Sequence, residues 1–219
     1  MRNFYQQNIH YLLQQKSISP AEFRKIAALP ENNTDHINEL IAYSDFFNIP
    51  VEKLLFINIE LAEQKSSDIR FLVMDVDGVL SDGGMYYLSN GDEMKKFNTK
   101  DGYALMQLHK KGIKTAFLSS GFRQEIINDR ASLLNIDYVY VGRENKKTIL
   151  SNWLKELKIE FVHVAYLGDD LNDAEIMKIA GISACPSDAS IEIKKIAHIV
   201  LQNKGGQGCV REFIDGYLM

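Results

Sequence analysis

The sequence predicts an α/β protein: a parallel sheet carrying an inserted β-hairpin flap, preceded by a small all-α domain. Three observations predict it. From Ile69 onward short apolar runs alternate with amphipathic stretches, the pattern of strands joined by helices. Before that point apolar residues recur at intervals of three and four, the helical period. Just after the first apolar run, Asn90-Gly91 lies between two short arms, which is a hairpin signal.

The all-α domain is expected over residues 1–65. Ile9, Leu12 and Leu13, then Phe23, Ile26 and Ala27, then Ile37, Leu40 and Ile41 mark successive apolar helix faces. Ser19-Pro20-Ala21-Glu22 supplies an N-cap, a proline at the first helical position and a glutamate at the third. Asn48-Ile49-Pro50-Val51-Glu52 signals a further helix start, and the polar stretch from Ala62 to Asp68 reads as a linker. The second domain covers residues 69–219. Its expected strands are 70–76, 114–119, 137–141, 162–168, 181–185 and 198–201, with helices in most of the gaps. The hairpin arms are 85–88 and 93–97, joined through Ser89-Asn90-Gly91-Asp92 with a type I′ turn at Asn90-Gly91. Ligands of such sheets sit beyond the carboxyl ends of the strands, where strand order reverses. The hairpin is therefore expected to hang over the site.

Composition narrows the function. At 219 residues and 46% hydrophobic, the chain has material for a real core. A net charge of -4 gives no basic field to draw a nucleic-acid backbone or an anionic membrane, so neither is expected as a partner. Cys185 and Cys209 are too few for a disulfide framework and lack metal-site spacing, so both read as reduced and structural. The first residues lack the apolar core of a signal peptide, and no apolar run reaches the ~18 residues of a membrane span. A cytoplasmic location is the expectation.

The chemistry is concentrated at two strand ends. Phe71 to Met74 runs into Asp75-Val76-Asp77-Gly78. Side chains at i and i+2 of an extended segment leave one face, so Asp75 and Asp77 can converge while Val76 points into the core and Gly78 frees the turn. Gly168-Asp169-Asp170-Leu171-Asn172-Asp173 ends a second strand in the same way. Carboxylates crowded on one edge call for a hard cation with oxygen ligands, and Mg²⁺ fits. An EF-hand is excluded, because Val79 and Tyr86 stand where ligands are needed. Ser119, with Ser120 beside it, ends a third strand, and Lys146, with Lys147 beside it, opens a helix. A hydroxyl and an ammonium there suit a phosphoryl group. No Gly-x-x-x-x-Gly-Lys loop exists, so the chain is not a P-loop nucleotidase. Each part alone has a plain structural reading: a polar strand end, a capping serine, a solvated helix start. The five histidines share no spacing and supply no ligand set.

Taken together and in this order, Asp75-x-Asp77, Ser119 or Ser120, Lys146 and Gly168-Asp169-Asp170-x-x-Asp173 resemble the haloacid dehalogenase superfamily of phosphotransferases. The resemblance implies a Rossmann-like parallel sheet and a Mg²⁺-dependent phosphomonoesterase working through an aspartyl phosphate. Asp75 would attack phosphorus, and Asp77 would protonate the leaving group and later activate water. The carboxylates of Asp75 and Asp169 and the backbone carbonyl of Asp77 would hold Mg²⁺, supported by Asp170 and Asp173. Ser119 or Ser120, with Lys146, would hold the phosphoryl group.

Over residues 70–217 the chain is similar to the capless branch that contains 3-deoxy-D-manno-octulosonate 8-phosphate phosphatase and the acylneuraminate 9-phosphate phosphatases. The carriers are the run from Asp75 to Gly83, Lys96-Phe97-Asn98-Thr99-Lys100-Asp101-Gly102-Tyr103, Asp129-Arg130-Ala131 and Gly205-Gly206-Gln207-Gly208-Cys209-Val210-Arg211-Glu212. This implies a phosphorylated 3-deoxy keto-acid sugar as substrate, of the kind used in lipopolysaccharide or sialic acid biosynthesis. It also implies a homotetramer formed through the hairpins. Asn98, Lys100, Asp101 and Arg211 would be substrate residues, Arg211 by pairing with a carboxylate. Two departures bear on which sugar is used. Ser119-Ser120-Gly121-Phe122-Arg123 carries one residue more than the family's Thr-Gly-Arg or Thr-Gly-Glu, and Leu133 stands where some nine-carbon-sugar enzymes have a basic residue. The Gly205-Gly206-Gln207-Gly208 run reads as a flexible turn before the last helix.

Residues 1–65 resemble a degenerate phage-repressor-like helix-turn-helix domain, through Asn8 to Leu13 and Tyr43 to Leu55. The segment Pro30 to His36, where a recognition helix belongs, has no arginine or lysine, and the domain carries six basic against eight acidic residues. Such a helix gains little from DNA phosphates. A rival reading follows from this resemblance, a sugar-phosphate-sensing regulator whose first domain grips DNA or a protein. The complete acidic set and the acidic first domain favour the enzyme.

Overall fold

The structure, a computed structural model, describes residues 3–29, 36–65 and 68–219, in two compact units, Met1–Gln64 and Lys65–Met219. The first unit has helices α1 (Tyr5–Gln15), α2 (Pro20–Ile26), α3 (His36–Phe47), α4 (Val51–Phe56) and α5 (Ile59–Lys65) among the described residues. The expected capping box at α2 forms: Ser19 Oγ accepts from Glu22 N at 3.2 Å, and Glu22 Oε2 accepts from Ser19 N at 2.8 Å. Pro50 stands at the N-cap of α4, one position before the first helical residue. Helix α5 runs through Lys65, so residues 62–65 are helical where a linker was expected. Asn58 starts it, accepting from Leu61 N at 3.1 Å. Residues 30–35, the bulk of the segment read in place of a recognition helix, lie outside the described residues.

Aromatic packing decides which face of each helix is buried. Phe23 stacks on Tyr43 with ring centroids 3.9 Å apart, and both are buried with Ile9, Leu12, Leu13 and Leu54. Ile26, Ile37 and Ile41, expected on apolar core faces, are exposed instead. Asn8 is the polar exception in this core. Its Nδ2 donates to Leu54 O at 2.8 Å and Ile57 O at 2.7 Å, and its Oδ1 accepts from Ile59 N at 3.1 Å. One side chain thus closes the backbone groups left between α4 and α5.

The second unit is built on strands β1 (Phe71–Met74), β4 (Lys114–Ser119), β5 (Tyr138–Val141), β6 (Val164–Leu167), β7 (Ile182–Cys185) and β8 (Ile199–Val200). The remaining two, β2 (Tyr86–Tyr87) and β3 (Glu93–Met94), form the hairpin. The large sheet is parallel throughout, in the order β5-β4-β1-β6-β7-β8. All four residues of β1 are fully buried, as a central strand covered on both faces requires. Phe71 and Val73 join Leu150, Leu154, Ile176, Met177 and Ile193 in one layer. Leu72 and Met74 point the opposite way. Helices α6 (Thr99–Leu108), α7 (Gln124–Leu134), α8 (Lys146–Leu157), α9 (Ala174–Met177), α10 (Ile191–Ile196) and α11 (Cys209–Tyr217) fill the connections. No helix among the described residues is long and apolar enough to cross a membrane.

Three local expectations are corrected. Strand β6 starts only at Val164, because Phe161–His163 form a 3-10 turn. The hairpin is not closed by a type I′ turn, which needs positive φ at both Asn90 and Gly91. Only Gly91 has it (φ 85°), and the Asn90 side chain is occupied on both sides by Asp92. Gly205-Gly206 is not a free turn either. Both are buried, and a methyl group on Gly205 would lie 2.0 Å from Gly78 O.

Replacing Asn8 with alanine strands two carbonyls and one N–H in a dry core, at about 1–3 kcal/mol for each group left unpaired. Asn8→Ala is expected to lower the urea midpoint of the first unit, followed by far-UV circular dichroism.

Candidate active site

Strand order runs outward from β1 on one side and from β6 on the other, so the crevice between these two strands is the switch point. Asp75 follows β1 and Asp169 follows β6, each at the carboxyl end. The chain leaves β1 in a wide turn, Val76–Leu80, closed by Ser81 N donating to Val76 O at 2.9 Å. Gly78 inside it has φ 87°, and a methyl group there would sit 2.1 Å from Asp169 Oδ2. The turn and the second acidic loop are therefore in contact only because residue 78 has no side chain.

Asp75, Asp169 and Asp173 each present a carboxylate oxygen, all within 4.8 Å of one another. Their surroundings differ. Asp173 is fully buried and both its oxygens are taken: Oδ1 by Lys146 Nζ at 2.7 Å and Tyr166 OH at 2.6 Å, Oδ2 by Asp169 N at 3.0 Å and Asp170 N at 3.4 Å. It is a hub that shapes the loop. Asp75 Oδ1 accepts from Val76 N at 2.7 Å, and Oδ2 faces Lys146 Nζ at 2.9 Å. Burial, then the charge of Asp173, push the Asp75 carboxyl up to about 8 despite Lys146. Burial, then Asp173 and Asp170, push Asp169 up to about 7. Burial works to lower the Lys146 ammonium, but Asp75 and Asp173 outweigh it and hold its pKa above the ordinary value. Three carboxyl groups beside one ammonium do not all ionise readily by themselves, and a hard divalent cation with oxygen ligands would balance the charge of the ionised set.

Asp77 turns toward the hairpin. Its Oδ1 accepts from Lys95 Nζ at 2.6 Å and Ser81 Oγ at 3.2 Å. Ser119 is fully buried, with Oγ accepting from Gly121 N at 3.0 Å, whereas Ser120 lines the cavity and accepts from Asn172 Nδ2 at 3.2 Å. The cavity, about 460 Å³, is lined by Asp75, Asp77, Asp169, Asp170 and Asn172, by Ser120 to Arg123 with Arg143, and by Met85, Tyr87, Glu93 and Lys95 of the hairpin. Arg143 stacks on the Phe122 ring at 3.8 Å, and Arg123 donates to Gly91 O, joining the loop after β4 to the hairpin tip.

Asn98, Lys100, Asp101 and Arg211 do not line this cavity. Asn98 caps α6, accepting from Lys100 N at 2.9 Å. Asp101 lies in the first turn of α6. It is buried and accepts from Arg211 N at 2.7 Å, which anchors the start of α11. The Arg211 guanidinium pairs with Asp215 one turn further on. Sequence reasoning missed Lys95, Glu93, Arg143 and Tyr166. Glu93 and Lys95 had a usable signal, since both lie at alternate positions of one hairpin arm and so share a face.

Known proteins resemble this chain. A family model described as haloacid dehalogenase-like hydrolase matches residues 118–214. The 3-deoxy-D-manno-octulosonate 8-phosphate phosphatase of Yersinia pestis is 39% identical over 156 residues, 71% of this chain and 83% of that protein. Its 1.95 Å crystal structure superposes with a TM-score of 0.70 at 38% identity, covering 73% of this chain and 85% of that one. The phosphatase of the same name from Moraxella catarrhalis, solved with a magnesium ion, a phosphate ion and a KDO molecule, gives a TM-score of 0.68 at 35% identity, covering 71% and 88%.

Removing the hub takes from the buried Tyr166 hydroxyl its acceptor and from Lys146 one of its two carboxylate partners. Asp173→Ala is expected to cost about 3–5 kcal/mol, the scale for breaking a buried ion pair. Urea unfolding followed by tryptophan fluorescence checks it, and Trp153 reports on this unit.

Proposed function

The chain belongs to the haloacid dehalogenase-like hydrolases and is a phosphatase related to the 3-deoxy-D-manno-octulosonate 8-phosphate phosphatases, and from that premise we propose that it hydrolyses a phosphorylated 3-deoxy keto-acid sugar with the aid of Mg²⁺. The observation that carries the proposal is the meeting of Asp75 and Asp169 across the switch point with Lys146 against Asp75.

In this reading Asp75 is the nucleophile. Val76 N and Lys146 hold its two oxygens in a fixed direction, so little orientational freedom is lost when substrate arrives. The Asp75 oxygen bonds to phosphorus as the sugar oxygen leaves, and Asp77 gives that oxygen a proton. Asp77 then takes a proton from water, whose oxygen attacks phosphorus and releases Asp75 and inorganic phosphate. Ser120, the serine that lines the cavity, and Lys146 hold the phosphoryl oxygens, with Ser119 behind them bracing Gly121. The carboxylates of Asp75 and Asp169 and the carbonyl of Asp77 would hold Mg²⁺, with Asp170 and Asp173 supporting that loop. The ion supplies positive charge to the phosphoryl oxygens. The Moraxella catarrhalis relative, crystallised with magnesium, phosphate and KDO, supports both the metal and the sugar class.

The sugar carboxylate would meet the guanidinium groups of Arg123 and Arg143 at the cavity wall. We propose further that the protein is a homotetramer. Met85, Tyr86, Tyr87, Leu88 and Met94 leave the hairpin with an exposed apolar surface, and a neighbouring chain would cover it. Asn98, Lys100 and Arg211 would then serve the site of an adjacent copy, with Asp101 fixing the helix that carries Arg211.

Asp75→Asn is expected to abolish Mg²⁺-dependent phosphate release while the circular dichroism spectrum stays that of the parent, and chelation with EDTA to do so reversibly. A phosphate-release screen over eight- and nine-carbon keto-acid sugar phosphates and hexose phosphates tests the substrate. A preference for hexose phosphates overturns the sugar class. Light scattering is expected to give four chains per particle, and Tyr87→Glu to reduce that number.

A further inference from the structure

The hairpin enters the site through one side chain. The Lys95 side chain is only 4% exposed although it belongs to the flap and lines the cavity, and its ammonium lies 2.6 Å from Asp77 Oδ1 and 2.8 Å from Glu93 Oε1. Glu93 is itself 8% exposed at the side chain. Burying an ammonium between two carboxylates carries a desolvation cost that a simple cover would not need, since Met85 and Tyr87 of the same hairpin already line the cavity with apolar surface.

What the pairing does is visible at Asp77. Lys95 and Ser81 both donate to Oδ1, so that oxygen is spoken for. Oδ2 is on the other side, toward the end of β4: the point where a methyl group of Gly121 would stand is 3.7 Å from Asp77 Oδ2 and 3.1 Å from Ser119 Oγ. Two charge-assisted or hydroxyl donors on one oxygen fix the rotation of a carboxylate, leaving the second oxygen aimed. Glu93 holds the ammonium from behind, so Lys95 is fixed in turn.

We propose that Lys95 is a positioning residue for the proton-transferring carboxylate: held by Glu93, it grips Asp77 by Oδ1 and so presents Oδ2 to the oxygen that leaves the phosphate. This inference rests on the assignment of Asp77 made above. It makes the hairpin an arm of the catalytic machinery, so that flap position and proton delivery are coupled.

The test compares leaving groups through kcat/KM, which reports the transfer of phosphoryl to Asp75. One substrate is the best primary-alkyl sugar phosphate of the screen, whose alkoxide needs a proton to depart. The other is p-nitrophenyl phosphate, whose phenolate departs without one. Lys95→Met is expected to lower kcat/KM for the alkyl ester at least about 30-fold, a part of the roughly 10²–10⁴-fold that a general acid contributes, and for the nitrophenyl ester by under about threefold. Lys95→Arg is expected to restore most of the alkyl activity, and Glu93→Gln to show the same selectivity in weaker form. Equal loss on both substrates, or no loss, overturns the inference. If Lys95→Met is recovered unfolded, Lys95→Gln and Glu93→Gln decide it by the same comparison. Asp77→Asn separates the two levels. If its loss is not leaving-group dependent, the role of Asp77 fails. If it is and that of the Lys95 variants is not, only the role of Lys95 fails.

Discussion

Lys146 places one ammonium 2.9 Å from Asp75 and 2.7 Å from Asp173, and all three side chains are buried. Neither carboxylate could be buried so deeply without it, and the ammonium could not be buried without them. The three residues come from the ends of β1 and β6 and the start of α8, so the ion pairs bind separate connections of the sheet into one edge. Tyr166, reaching from inside β6, adds a fourth group to the same network. Because Asp173 spends Oδ1 on Lys146 and Tyr166 and Oδ2 on the N–H groups of Asp169 and Asp170, Asp75 and Asp169 are the members of this cluster that line the cavity.

The parts of the fold that were legible in the sequence are those fixed by local pattern. The strand 114–119 was bounded correctly because its apolar centre, Ala116-Phe117-Leu118, lies between a glycine-containing turn and a polar loop. The start of α2 was legible because its capping box is a matter of four adjacent residues. The acidic loops were legible because the residue types are unusual at strand ends. What escaped was set by contacts between distant residues. Whether Ile26 or Phe23 faces the core depends on Tyr43, seventeen and twenty residues away, and the larger aromatic surface wins. The turn of the hairpin was misjudged because Asn90 finds a better use for its amide in Asp92 than a positive φ would give it.

The same division holds in the site. Asp75, Asp169 and Lys146 come together where motif order placed them, whereas Asp101 was assigned to the sugar and is found buried against α11. Nothing in its neighbourhood in the chain announces that contact, because its partner backbone is that of Arg211. Lys95 escaped for a related reason. A lysine on a short, exposed hairpin looks like a solubilising residue until the arm is seen to lie beside Asp77.

The loop from Asp75 to Ser81 is finished by a late stretch of sequence. Gly206 N donates to Val79 O at 2.9 Å, and Cys209 Sγ donates to the same oxygen across 130 positions of the chain. Closing so long a segment costs entropy before any contact repays it. The loop that carries Asp75 is thus among the first parts of its unit to leave the ribosome and among the last to gain its full set of neighbours. A partly synthesised chain can hold every acidic motif in order and still lack a finished loop, since the Val79 carbonyl waits for two small residues from far downstream.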